Sequence, residues 1–152
     1  SRMSLSPAQT PLADHHTARL STTDVTRFSG ASARQLDYWC RIGALVPTID
    51  ARGSGTRRRY TAHEARMAWA IYETHKATSA TNSPGGGMSQ RVGDALRRLD
   101  GAWTGQLVVG AGGLLVVEHA LALLDALTEL GPAVIVVDLD ACPDPLAQEA
   151  AA

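Results

Sequence analysis

Apolar residues recur at helical spacing through the first half of the chain, in short bursts punctuated by glycine. Val25 and Phe28 lie within "STTDVTRFSG", where Ser21 or Thr22 is a cap and Gly30 a left-handed exit, which predicts a short helix. Ser32 caps the next one almost at once. In "ARQLDYWCRIG", Leu36, Trp39, Cys40 and Gly43 line one side while Arg34, Tyr38 and Arg41 line another, so one face packs and the other stays free. Pro47 in "ALVPT" forbids further helix. "TIDARGSGTRRRYT" then reads as two extended segments around a Gly-Ser-Gly tip, with Arg57 and Arg59 on one side of the returning strand and Arg58 and Tyr60 on the other. Thr61 and Glu64 form a capping box for a third helix, whose inward stripe is Ala65, Met67, Ala68, Ile71 and Tyr72.

The pattern changes after "THKATSATNSPGGGMSQ", which reads as a linker. "MSQRVGDALRRLDG" predicts one helix, capped by Ser89, apolar along Val92, Ala95, Leu96 and Leu99, and ended by Gly101. Continuous apolar runs follow: strand "GQLVVG", turn "AGG", strand "LLVVE", helix "HALALLDALTELG" and strand "PAVIVVDLDA". Roughly fifty residues seldom bury enough apolar area alone, so these strands and the leucine-rich helix face are expected to meet a second copy. Cutting the chain after Gly101 should then leave a folded head.

The expected fold is mainly α with small β: a winged helix-turn-helix head plus a small α+β C-terminal domain. Its divisions are a flexible arm at 1–18, the head at 19–77, a linker at 78–88, a connecting helix at 89–101, the α+β dimerisation domain at 102–142, and a flexible tail at 143–152.

Composition adds a charge separation that the net value of −1 conceals. Residues 17–60 carry eight arginines against three aspartates, whereas from Gly101 onward there are seven acidic residues and no Lys or Arg. A basic head beside an acidic, apolar tail suggests a polyanion partner for the head. An apolar content of 45% permits a real core, and no run is long enough for a signal peptide or membrane span, so the cytoplasm is expected. Cys40 and Cys142 lie in no CxxC or Cys/His cluster, so free thiols are expected rather than a disulfide or zinc site.

Two short helices joined by a tight turn make a helix-turn-helix, whose second helix enters the major groove. Arg34 and Gln35 occupy its first turn, where Arg suits guanine and Gln suits adenine, while Tyr38 and Arg41 are better placed for phosphates. Arg57, Arg58, Arg59 and Tyr60 belong to the wing, and Thr22, Thr23 and Ser32 at the two helix starts are counted with them. Trp39 is expected in the core. Asp37 would repel phosphate, so it either accepts from a cytosine amino group or pairs with Arg34 or Arg41; the ion pair is favoured.

In combination, "STTDVTRFSGAS", "ARQLDYWCRIGALVPT" and "GSGTRRRYTAHE" resemble the DNA-binding domain of the MerR family of bacterial transcription regulators, over residues 20 to about 75. "RQLDYW" followed by "RxGxLVP" and a Gly-Ser-Gly wing is similar to an actinobacterial group of MerR-like proteins, which also carry a compact hairpin, helix and strand tail. The resemblance implies recognition-helix contacts at Arg34, Gln35 and Tyr38 and wing contacts around Arg58. It also implies a homodimer on an inverted-repeat promoter site, with RNA polymerase or a regulatory protein as a further partner. Asp37 stands where many members have Arg, and Arg57 where many have Tyr.

Other chemistries find little support. The tail offers only Cys142 and His119 toward a metal, "VVGAGG" lacks the helix and acidic residue of a dinucleotide site, and Asp138 and Asp140 have no catalytic partner. No enzyme, cofactor or metal is expected. The alternatives are an excisionase-like architectural DNA-binding protein of a mobile element, or an interaction module whose arginines bind an acidic partner.

Overall fold

The computed structural model describes residues 17–50, 57–81, 88–99, 103–110, 113–118, 120–131 and 134–147. The expected arm before residue 17, the wing tip at Gly53 to Gly55, the glycines at 85–87, Gly101, the "AGG" turn's first two residues, His119 and the last five residues lie outside them. The fold is mixed α/β.

Local capping chemistry sets the first elements. Helix α1 (Thr22–Ser29) starts at Ser21, whose hydroxyl accepts from the Asp24 amide while the Asp24 carboxylate accepts from the Ser21 amide. It ends at Gly30, with φ of 86°. Helix α2 (Ala33–Arg41) repeats the device with Ser32 and Gln35. Helix α3 (Ala62–Thr81) starts from a third box, in which the Thr61 and Glu64 side chains accept each other's amides. The Glu64 carboxylate also takes the Thr48 hydroxyl, tying the segment after α2 to the start of α3. Before α3, Tyr60 bridges to Leu20 and Arg59 to Ile49 in antiparallel fashion.

Helix α3 runs four residues beyond the expected head boundary at 77, because Gly and Pro are absent until Pro84 and nothing in "ATSAT" breaks a helix. Helix α4 (Met88–Arg97) begins before Ser89, so Ser89 is a helical residue rather than the cap.

The C-terminal strands are β1 (Gln106–Gly110), β2 (Gly113–Val117) and β3 (Val134–Asp138), with helix α5 (Ala120–Leu130) between the last two. They form one antiparallel sheet in the order β2-β1-β3, with Leu107 opposite Val116 and Val137. The pleat sends Leu107, Val109, Leu114, Val116, Ile135 and Val137 to one face, where they join the head's core. Val108, Val117 and Val134 point the other way, against Ala126 and Leu130 of α5.

That arrangement corrects the expected division of labour. A single buried cluster runs from Leu20 and Leu36 through Ile71, Val92 and Leu96 to Leu107, Val137 and Leu146, with α3 against β3 and α4 against β2. The strands do need cover, but this chain's own α3 and α4 supply it. The expected loose tail is also shorter, since Pro145 and Leu146 are buried. Two polar contacts reinforce the joint, the Trp103 indole N–H donating to His63 Nδ1 at 3.0 Å and Arg97 Nη2 donating to the Gly43 carbonyl at 3.0 Å, while within the sheet unit Gly105 N–H donates to Asp140 at 3.1 Å.

Candidate nucleic-acid interface

Helix α2 is anchored by Leu36 and Trp39, both buried, with Cys40 partly buried beside them. Its opposite side carries Arg34, Tyr38 and Arg41, all exposed, Tyr38 to 52%. A large aromatic ring left half in water is informative because its burial would ordinarily stabilise the fold.

The strand leading into α3 follows the expected alternation: Arg57 and Arg59 are exposed, while Arg58 and Tyr60 turn inward. Arg58 is only 21% exposed, and its Nη1 donates to Asp37 Oδ1 at 2.8 Å while its Nε donates to Asp50 Oδ1 at 2.9 Å. Arg41 Nε approaches the other Asp37 oxygen at 3.1 Å. The Asp37 pair is therefore with Arg41 and Arg58. Arg34, expected as one possible partner, forms no ion pair with a described residue.

This network draws the strand carrying Arg57 and Arg59 against α2, so five outward cationic or aromatic side chains share one region. It also reassigns several expected contacts. Arg58 acts as a brace between helix and strand rather than as a free phosphate clamp. Tyr60 is 0% exposed, its hydroxyl lying 3.7 Å from Cys40 Sγ, so Tyr60 does not present itself to a ligand, and Thr22 is half-buried. Gln35 Oε1 accepts from the Ser32 amide at 2.9 Å, so bidentate reading of adenine would cost that cap. Ser32 and Thr23 remain exposed at the helix starts.

Charge states follow the geometry. The Arg58 hydrogen bond, aided by Arg41, holds the Asp37 carboxyl below its ordinary value of 3.8, and Arg58 is raised by Asp37 and Asp50 in return. A carboxyl lowered by folding contributes stability above its unfolded value and loses it as pH falls through the folded one. The network should thus stay intact from neutral pH down to about 4 and open below it. A carboxyl-carbon NMR titration of Asp37 should show a midpoint below that of an unfolded aspartate.

Burial raises the Cys40 thiol, and burial pushes Cys142 up to about 12. At pH 8 the Cys142 thiolate is then about a thousandfold scarcer than in the unfolded chain, and iodoacetamide should label Cys142 in the native protein correspondingly slowly, as read by peptide mass spectrometry. Labelling at the denatured rate would contradict this environment. Among the described residues, no group of three or more His, Cys, Asp or Glu converges as a metal site would require, and no helix is long and apolar enough to cross a membrane.

No protein family's sequence profile matches the chain, and no curated protein matches it.

Proposed function

We propose that this chain is a sequence-specific DNA-binding transcription regulator of MerR type, using α1 and α2 as a helix-turn-helix and the segment before α3 as its wing. One observation carries the reading: α2 keeps Arg34, Tyr38 and Arg41 outward on the side opposite its buried Leu36 and Trp39, and the Asp37–Arg58 pair brings Arg57 and Arg59 alongside. A helix in the major groove with flanking arginines on phosphate needs that layout. Arg34 occupies the first turn, where base edges come within reach, while Arg41, Arg57 and Arg59 lie where backbone contact is natural. A homodimer on an inverted repeat remains part of the proposal through the family resemblance. The sheet's own need for cover no longer argues for it.

Readout and anchoring separate experimentally. Arg34→Ala should cost about 1–3 kcal/mol on a preferred duplex and relax choice at one position, whereas Arg59→Ala should weaken all duplexes alike and reduce the salt slope by about one. Fluorescence anisotropy on preferred and scrambled duplexes across a salt series measures both. Equal losses on both duplexes for Arg34→Ala would remove it from base reading.

A further inference from the structure

Within the DNA-binding reading of α2, on which this inference rests, we propose that Asp37 is a base-reading residue that selects a cytosine in the major groove. The ion pairs do not consume the carboxylate; they aim it. Each carboxylate oxygen accepts about two hydrogen bonds. Oδ1 receives Arg58 Nη1 at 2.8 Å and Oδ2 is paired with Arg41 Nε at 3.1 Å, which leaves an acceptor position on each oxygen. The side chain is 47% exposed, so the carboxylate is within reach of a ligand.

Position on the helix determines what they can meet. Asp37 lies three residues after Arg34 and four before Arg41, within the exposed side and toward its Arg58 edge. A docked helix cannot place an ionised carboxylate against phosphate without repulsion, so Asp37 must face water or a base-edge donor. Cytosine presents an amino donor flanked by C5–H on its outer side, with the paired guanine's O6 on the other. Adenine sets its N7 acceptor next to its amino group, and guanine and thymine offer acceptors. A carboxylate held by two guanidinium groups therefore distinguishes cytosine from the other three.

The fixed geometry matters as much as the charge. Arg58 is held from its other side by Asp50 at 2.9 Å, so the Asp37 side chain loses little further freedom when a base arrives. Asp50 thus supports the position without touching the base.

The test selects duplexes from a randomised library at near-physiological salt with the wild-type chain and with Asp37→Asn, Asp37→Ala and Asp50→Asn. Wild type should enrich a motif with cytosine at one position. Replacing that C·G pair by T·A should weaken wild-type binding roughly tenfold and leave Asp37→Ala binding nearly unchanged. Asp37→Ala should lose that one preference and keep the rest, Asp37→Asn, whose Oδ1 still accepts while its amide also donates, should admit acceptor-bearing bases there, and Asp50→Asn should keep it. Circular dichroism melts show which variants are folded, and the effect of the base-pair replacement is compared between wild type and a folded Asp37 variant, because Arg34 reading the paired guanine would give the same loss on wild type alone.

An unchanged motif in the Asp37 variants overturns the inference and leaves DNA binding standing. Loss of the cytosine preference in Asp50→Asn to the same degree also overturns it, since Asp37 would then act only by holding Arg58. A wild-type chain that enriches no sequence overturns the DNA-binding reading and this inference together.

Discussion

A chain cut after Gly101 is expected to lose its cooperative fold, although the head contains every element of the proposed DNA-binding unit. The cut removes β1, β2 and β3, whose inner face of Leu107, Val109, Leu114, Val116, Ile135 and Val137 belongs to the same buried cluster as Val92 and Leu96 of α4. Burying one large apolar side chain stabilises by about 1.5–3 kcal/mol, so exposing several approaches the roughly 5–15 kcal/mol that holds a whole domain together. The truncated chain should melt without a sharp transition and bind a hydrophobic dye, as measured by circular dichroism and 8-anilinonaphthalene sulfonate fluorescence. A cooperative melt close to that of the full chain would show instead that the head is self-sufficient.

Gly93→Ala should be nearly as severe, and its sign is diagnostic. In an exposed helix, replacing Gly by Ala adds about 1 kcal/mol of stability. Here a Cβ on Gly93 would fall 2.0 Å from the Ala44 carbonyl oxygen and 2.8 Å from its carbon, both backbone atoms that no rotamer change can move aside. Helix α4 would have to withdraw from the segment leaving α2, at a cost of about 3 kcal/mol or more. Gly43→Ala is the control: its Cβ meets nothing within 4 Å, so only the φ of +79° opposes it, at roughly 1–2 kcal/mol. Urea unfolding should rank Gly93→Ala well below Gly43→Ala, and the reverse order would dissolve the proposed contact.

What could be read from the chain alone was whatever acts between near neighbours. The helix caps at Ser21, Ser32 and Thr61 act on the turn that follows them, the Thr61–Glu64 box joins residues three apart, and the strand alternation that separates Arg58 and Tyr60 from Arg57 and Arg59 is a period of two. Interactions that only folding brings together were not legible. Asp37 meets Arg58 across 21 positions, Trp103 meets His63 across 40, and Arg97 meets Gly43 across 54. Spacing rules offered Arg34 and Arg41 to Asp37 and had no means to offer Arg58. The docking of α4 on the head left one trace in the sequence: Gly93 interrupts an otherwise regular amphipathic helix, where an isolated glycine commonly has a packing reason. The same reasoning explains the set-aside contacts, since Gln35 suits both an adenine and a cap, and only the fold reveals which use it has.

The outward side of α2, with the strand beside it, is the surface proposed to meet DNA. A 15N NMR titration of the full chain with a short duplex, repeated at two salt concentrations, tests it most directly. The account predicts that the largest amide and guanidinium shifts fall on Arg34 to Arg41 and on Arg57 to Arg59, weaken with salt, and spare α5 and β3. Shifts confined to the C-terminal sheet and α5, or none at duplex concentrations in the high micromolar range, would contradict it.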